Sequence, residues 1–304
     1  MGSRTVHSAP CVPAVGDAAR RILRQRLGAV ALAADAMSSG HPLPAAVHRF
    51  RVCTRRASAA LKAFRPLVPR RQRRWFQRAL RRIRRAAAEA RDLDVIIARG
   101  RTAFGGGRND VAGALARRRL MEVLTRRRVS AERGLAGLLA DDWAARTSAL
   151  LSAVRAAGMT EPLASFSRRR SRRLVERFVV RLDQRLHDAS EIHRLRIETK
   201  KLRYALQVFA AGASPATAAP GDRSLRRLQS RLGEFTDRAT AADRYRLWLR
   251  QEADSRCREL LAAARQRESA AAKRARRGCL RWWNASRRDR LARELRRSLR
   301  GTRA

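Results

Sequence analysis

Acidic residues are scarce in this chain. Against 71 lysines and arginines stand only 26 aspartates and glutamates, and the 304 residues carry a formal net charge of +45 at pH 7. A surface so unbalanced cannot neutralise itself by internal pairing; it repels itself in the compact state and attracts polyanions. Cysteine is also rare: Cys11, Cys53, Cys257 and Cys279 lie far apart, with no C-x-x-C spacing. That pattern excludes a disulfide framework and fits reduced intracellular thiols. Long apolar runs are missing as well. The longest, Leu27 to Met37, is Ala-rich, interrupted by Asp35 and too short for a signal core or a membrane span. No segment alternates as a strand does, and no P-loop or nucleophile arrangement occurs. Gly105-Gly106-Gly107 follows no strand, so it reads as a hinge and not as a phosphate-cradling loop. These absences point to a cytoplasmic, all-α protein without catalytic machinery or a cofactor.

What the chain does have is a repeat. His48 to Phe64 reads HRFRVCTRRASAALKAF, and His193 to Phe209 reads HRLRIETKKLRYALQVF, 145 residues later. The same displacement pairs Leu80 with Leu225, Arg81-Arg82 with Arg226-Arg227, Glu89 with Glu234 and Asp92 with Asp237. A match in register over this span marks an internal duplication.

Wound at about 100° per residue, the first copy gathers Phe50, Cys53, Ala57, Ala60, Leu61 and Phe64 on one face. His48, Arg51, Arg55 and Lys62 form the opposite stripe, about 21 Å long at 1.5 Å per residue. The second copy buries Leu195, Leu202, Leu206 and Phe209 and lines up His193, Arg196, Lys200 and Arg203. A cation row without interleaved acids forgoes the usual i, i+4 pairing. Its natural partner is a polyanion.

The doubled H-x-x-R-x-x-x-[RK]-[RK] helix stands as His48, Arg51, Arg55, Arg56 and as His193, Arg196, Lys200, Lys201. Each copy is followed by a helix carrying Arg91-Asp92-Leu93-Asp94 or Gly233-Glu234-Phe235-Thr236-Asp237. Together these resemble the conserved histidine α-helical domain, CHAD, over roughly residues 17–280. The resemblance implies a pair of antiparallel four-helix bundles related by a pseudo-two-fold, and a basic surface that binds inorganic polyphosphate. It also implies a link to polyphosphate or polyester storage granules.

In chain order, residues 1–16 read as a mobile lead, 17–145 as the first helical half, 146–163 as a joint, 164–280 as the second half and 281–304 as a basic tail. Helices are expected from Asp17 to Met37, from Pro44 to the Pro66/Pro69 break, from Arg70 to Arg99 with Gly100 ending it, and from Val111 to Leu139. A shorter helix follows, capped by Asp141-Asp142 and running through Val154. In the second half they are expected from Arg168 to Leu186, from Glu191, from Asp222, and from Asp254 to Arg277. Leu291, Leu295 and Leu299 make a narrow apolar seam on the tail. That seam suits a docking helix better than a membrane or granule anchor using Trp282 and Trp283.

The residues expected to meet phosphate are His48, Arg51, Arg55, Arg56, Lys62, Arg74, Arg78 and Arg82 in the first half. In the second they are His193, Arg196, Lys200, Lys201, Arg203, Arg223 and Arg227. Arginine forks match phosphate oxygens in pairs, and a linear phosphate chain offers no bases to read. The alternatives are a nucleic-acid-binding or nucleoid-associated protein and a granule-surface scaffold; nucleic acid is otherwise only a non-specific competitor. Glu89 with Asp92, and Glu234 with Asp237, share a helix face at i, i+3. Fixing arginine rotamers suits them better than holding a metal, and Asp94 has only Ala239 as its counterpart.

Overall fold

A computed structural model of the chain describes residues 13–38, 43–103, 111–135, 137–139, 142–157, 159–182, 186, 188–213 and 221–300. Among them run ten helices: α1 (Val15–Ser38), α2 (Pro44–Ala63), α3 (Arg70–Ala103), α4 (Val111–Arg133), α5 (Trp143–Ala156), α6 (Leu163–Leu182), α7 (Ala189–Ala213), α8 (Asp222–Leu249), α9 (Ser255–Trp282) and α10 (Ala285–Arg300). The described residues contain no sheet; one isolated antiparallel bridge joins Ala14 to Pro162. Each half has four main helices plus a shorter fifth, α5 packed on α1 and α10 packed on α6. The duplication is visible in this order, since α6 to α10 retrace α1 to α5.

Burial of the periodic apolar faces drives this arrangement. In α2, Phe50, Ala57, Ala60, Leu61 and Phe64 at its C-cap are fully buried. One core cluster joins α1, α2, the first part of α3, α5 and the start of α6; a second joins the rest of α6 with α7, α8, α9 and α10. A third belongs to neither half alone. Leu93 and Ile96 of α3, Leu120 and Leu124 of α4, Tyr245 of α8 and Leu261 of α9 close together there. The halves also meet through Phe64 and its repeat counterpart Phe209, edge to face at 6.2 Å, with Phe166 stacked on Phe64 at 6.2 Å. Such ring pairs add about 0.5–1.5 kcal/mol each beyond area burial.

Several helix ends differ from the sequence expectation. Gly100 lies inside α3, which continues to Ala103. α4 stops at Arg133, because Leu135 turns into the core and Gly137 adopts a left-handed φ of 68°. α6 starts at Leu163 and not Arg168, since Leu163 and Phe166 are both buried; it ends at Leu182, short of Leu186. The shorter helix expected through Val154 is α5, seated by Trp143, Leu150 and Val154, and it overlaps the stretch read as a joint. Of the lead, residues 1–12 lie outside the described residues. Pro13 to Gly16 are pinned: Leu163 N donates to Pro13 O at 3.1 Å and Val15 N to Glu161 O at 2.9 Å. In the tail, α10 buries Leu291, Ala292 and Leu295. The apolar seam is spent inside the protein, and Arg296 binds Glu176 of α6 at 2.9 Å.

Candidate anion-binding face

The two motif helices, α2 and α7, pack against each other. Their stripes therefore merge. Lys200 of α7 lies within electrostatic reach of Arg196 on its own helix and of Arg55 and Arg51 on α2. Arg55 and Lys200 are repeat counterparts, so the pseudo-two-fold passes near them. α3 supplies the floor. Arg84 donates to Thr54 O at 3.2 Å and to Ser58 Oγ at 2.7 Å, while Arg51 reaches back to the Ala87 and Ala88 carbonyls at 3.3 and 3.4 Å. Thr54 is fully buried and donates to the Arg51 carbonyl at 2.9 Å. The backbone thus fixes cations that no acid holds.

The electrostatics record this crowding. Loss of solvation pushes the Lys200 ammonium down to about 8, helped by Arg196 and Arg55 and opposed by Asp237. Burial lowers Arg84 to about 10, with Arg55, Arg81 and Arg51 adding to it. Lys62 is lowered first by desolvation and then by Lys201, Arg84 and Arg81. His48 is lowered by burial and then by Arg91, Arg55 and Arg51. An anion laid across these groups would reverse each shift.

The basic track continues past the motif helices. Arg170 of α6 approaches the Lys62 carbonyl at 3.5 Å and feels Arg173, Arg65 and Arg177. Beyond it Arg73, next to Arg65, Arg70 and Arg74, donates to the Arg65 carbonyl at 3.3 Å.

Of the expected residues, the structure gathers His48, Arg51, Arg55, Lys62, Arg196, Lys200 and Lys201. It does not bring in the rest. Arg56 is directed instead to Arg26 of α1 and to Tyr204 and Gln207 of α7. Arg74 lies with the cations at the start of α3, and Arg78 is exposed on the outward side of that helix. Arg82 turns to the far flank, where it donates to the Leu138 carbonyl at 3.0 Å. Arg203 lies over the Tyr204 ring. Arg223 and Arg227 are exposed on α8, and His193 is exposed at the start of α7. Sequence reasoning missed Arg81, Arg84, Arg91, Arg65 and Arg170. Arg84 had a signal, the polar pair Thr54 and Ser58 set four apart among the buried residues of α2.

Asp92 and Asp237 each hold an arginine. Asp92 binds Arg244 of α8 at 3.2 Å, and Asp237 binds Arg196 at 2.8 Å while its carbonyl accepts from Arg99 of α3 at 3.2 Å. Arg99 and Arg244 are themselves repeat counterparts, so the clamps are reciprocal. Glu89 lies apart, facing Arg127 and Ser130 across α4, and Glu234 is exposed. Asp94 is buried and holds Arg128 at 2.6 Å. Among the described residues no three His, Cys, Asp or Glu side chains come together as a metal site.

Fold and face together define a class: a duplicated, all-helical domain whose two halves present one shared cluster of cations. The CHAD domain family model matches residues 21–246, and the chain belongs to the CHAD family. Among solved structures it is similar to the CHAD domain of the plant Ricinus communis, at 24% identity and a TM-score of 0.67, covering 98% of this chain and 95% of that one. It is also similar to PptA from Streptomyces chartreusis, at 17% identity and a TM-score of 0.60, covering 89% and 99%. At these identities the likeness speaks for the fold. No curated protein matches the chain. Among the described residues no helix is long and apolar enough to cross a membrane.

Proposed function

We propose that the protein binds inorganic polyphosphate, without catalysis, along the track from His48 and Arg91 through Arg51, Arg55, Arg84 and Lys200 to Lys62, Lys201 and Arg170. The observation that carries this reading is the convergence at the α2–α7 crossing. Cations from both halves meet there: Arg51 and Arg84 are held by backbone carbonyls, Asp92 and Asp237 are taken up by Arg244 and Arg196, and Glu198 pairs with Lys201 at the track's end. A flexible chain with about one charge per unit can follow such a track, using arginine forks for paired oxygens. Orthophosphate fills one contact and gains nothing from the others. Membership of the CHAD family supports the same ligand. The setting we propose is the cytoplasm, at polyphosphate-containing granules, which granule fractionation checks.

The direct test is a length-matched competition between polyphosphate and duplex DNA across a salt series. Polyphosphate should displace DNA at every salt concentration, and its log K against log salt should fall steeply as counterions are released. Equal affinity for both polymers would mean diffuse attraction to +45 and no shaped site.

A further inference from the structure

A second gathering of cations lies off this track. Arg26 of α1 and Arg56 of α2 line a small cavity with Tyr204, Gln207 and Val208 of α7, about 160 Å³ in volume. That is the space of about five waters at ~30 Å³ each, enough for one tetrahedral anion with a partial shell but not for a chain. Among the described residues Arg26 makes no ion pair, and its Nε is buried without a hydrogen-bond partner there. Burial lowers its guanidinium and the facing Arg56 lowers it further, with only Cys53 opposing. Asp222 of α8, which accepts from the lining Gln207 Nε2 at 2.9 Å, is already paired with Arg226 at 2.5 Å. Arg26 is half-buried and Arg56 exposed, so the two facing cations repel each other through partly screened charge, and an anion entering from the Arg56 side would relieve that repulsion.

The repeat shows where this cavity comes from. Under the displacement of 145 residues, Arg56 corresponds to Lys201 and Gln207 to Lys62. Lys62 and Lys201 lie together on the open track. In the other copy neutral Gln207 replaces the lysine, and Arg26 enters from α1 to supply the second cation. One copy of the contact lies along a track; the other forms a small pocket, open to solvent on the Arg56 side.

We propose that this pocket is a socket for a single phosphoryl group, gripped between Arg26 and Arg56 and completed by the Tyr204 hydroxyl and the Gln207 amide. It stands on its own cavity and does not depend on the reading of the track. The phosphoryl group has two sources, free orthophosphate or the end of a phosphate chain, and the test separates them.

Orthophosphate is titrated into the full chain by calorimetry at constant ionic strength in chloride. Tripolyphosphate with free ends is then compared with tripolyphosphate esterified at both ends. We expect one saturable site, weakened at least tenfold by Arg26→Met. It should be unchanged by Arg24→Met, which removes the same charge from an exposed position on the same helix. Binding of orthophosphate identifies the free anion. An Arg26-dependent preference for free-ended over esterified tripolyphosphate, without orthophosphate binding, identifies the chain end. Arg26→Met should also raise the melting temperature of the ligand-free protein, since it removes an uncompensated charge. Should it fail to fold, Tyr204→Phe carries the test with a severalfold loss. Equal effects of Arg26→Met and Arg24→Met, or no one-site binding by any of the three ligands, overturn the socket. Long-chain polyphosphate binding measured on Arg26→Met reports the track separately and should stay close to wild type.

Discussion

Raising the pH from 7 to 10 should stabilise the ligand-free protein while weakening its hold on polyphosphate, and Lys200 should be the main reason for both. Its ammonium titrates near 8 in the folded protein, against 10.5 for an ordinary lysine. Between those values the unfolded chain binds more protons than the folded one, so stability rises with pH across that window. The gap between about 8 and the ordinary 10.5 corresponds to at most about 3 kcal/mol at 1.36 kcal/mol per pH unit. Partial solvent access to the side chain reduces this to roughly 1–2 kcal/mol. Binding has the opposite sign. A phosphate chain favours the charged ammonium and restores its proton, so affinity above pH 8 should fall by up to tenfold per pH unit. Arg196, Arg55 and Arg51 press on Lys200 throughout, with Asp237 opposing them; Lys62 adds a weaker contribution of the same sign. The assay is thermal unfolding and polyphosphate titration at half-unit steps of pH, on wild type and on Lys200→Met. The variant should be more stable than wild type at pH 7 and nearly flat in both measurements from pH 8 to 9.5. If Lys200→Met keeps the wild-type slopes, the crossing of α2 and α7 does not crowd charge as described.

Other outcomes follow from the same contacts. Arg55→Glu should leave helicity by circular dichroism intact yet lower polyphosphate affinity tenfold or more, and should reduce the log–log salt slope by about 1 in fluorescence titrations. Glu268, buried between Arg99 and Arg238, should be costly to neutralise: Glu268→Gln is expected to destabilise by about 3 kcal/mol in urea unfolding. Gly221 caps α8 with φ at 63°, and an added Cβ would lie 2.6 Å from Leu295 Cδ2. Gly221→Ala should therefore loosen α10, seen as faster tryptic cleavage around Arg287 and a melting temperature lower by several degrees.

The sequence made the motif helices readable because an amphipathic period states its own buried face. Phe50, Ala57 and Leu61 are buried as that period requires. It could not say which neighbour covers the flanks of a helix that is arginine on three sides. Arg82 and Arg84 are two residues apart on α3, and only the packing of α2 on one flank and of the Leu138 segment on the other separates their roles. The row Arg74, Arg78, Arg82 has regular spacing, but spacing on one helix carries no information about the next. The merger of the two stripes was illegible for the same reason: it arises from the contact between α2 and α7. Arg56 is the clearest case, adjacent in sequence to Arg55 and assigned by packing to the opposite side.

The third core cluster bears on how such a domain could have arisen. Leu93 and Leu120 come from one copy of the repeat, Tyr245 and Leu261 from the other, and the reciprocal Arg244–Asp92 and Arg99–Asp237 clamps bracket the same region. A single copy would end in two long helices with bare apolar tips and broken clamps. Before duplication it would have been soluble only as a pair, with the far ends of two helical hairpins closed on each other. Fusion would turn such an association between two chains into a fold of one.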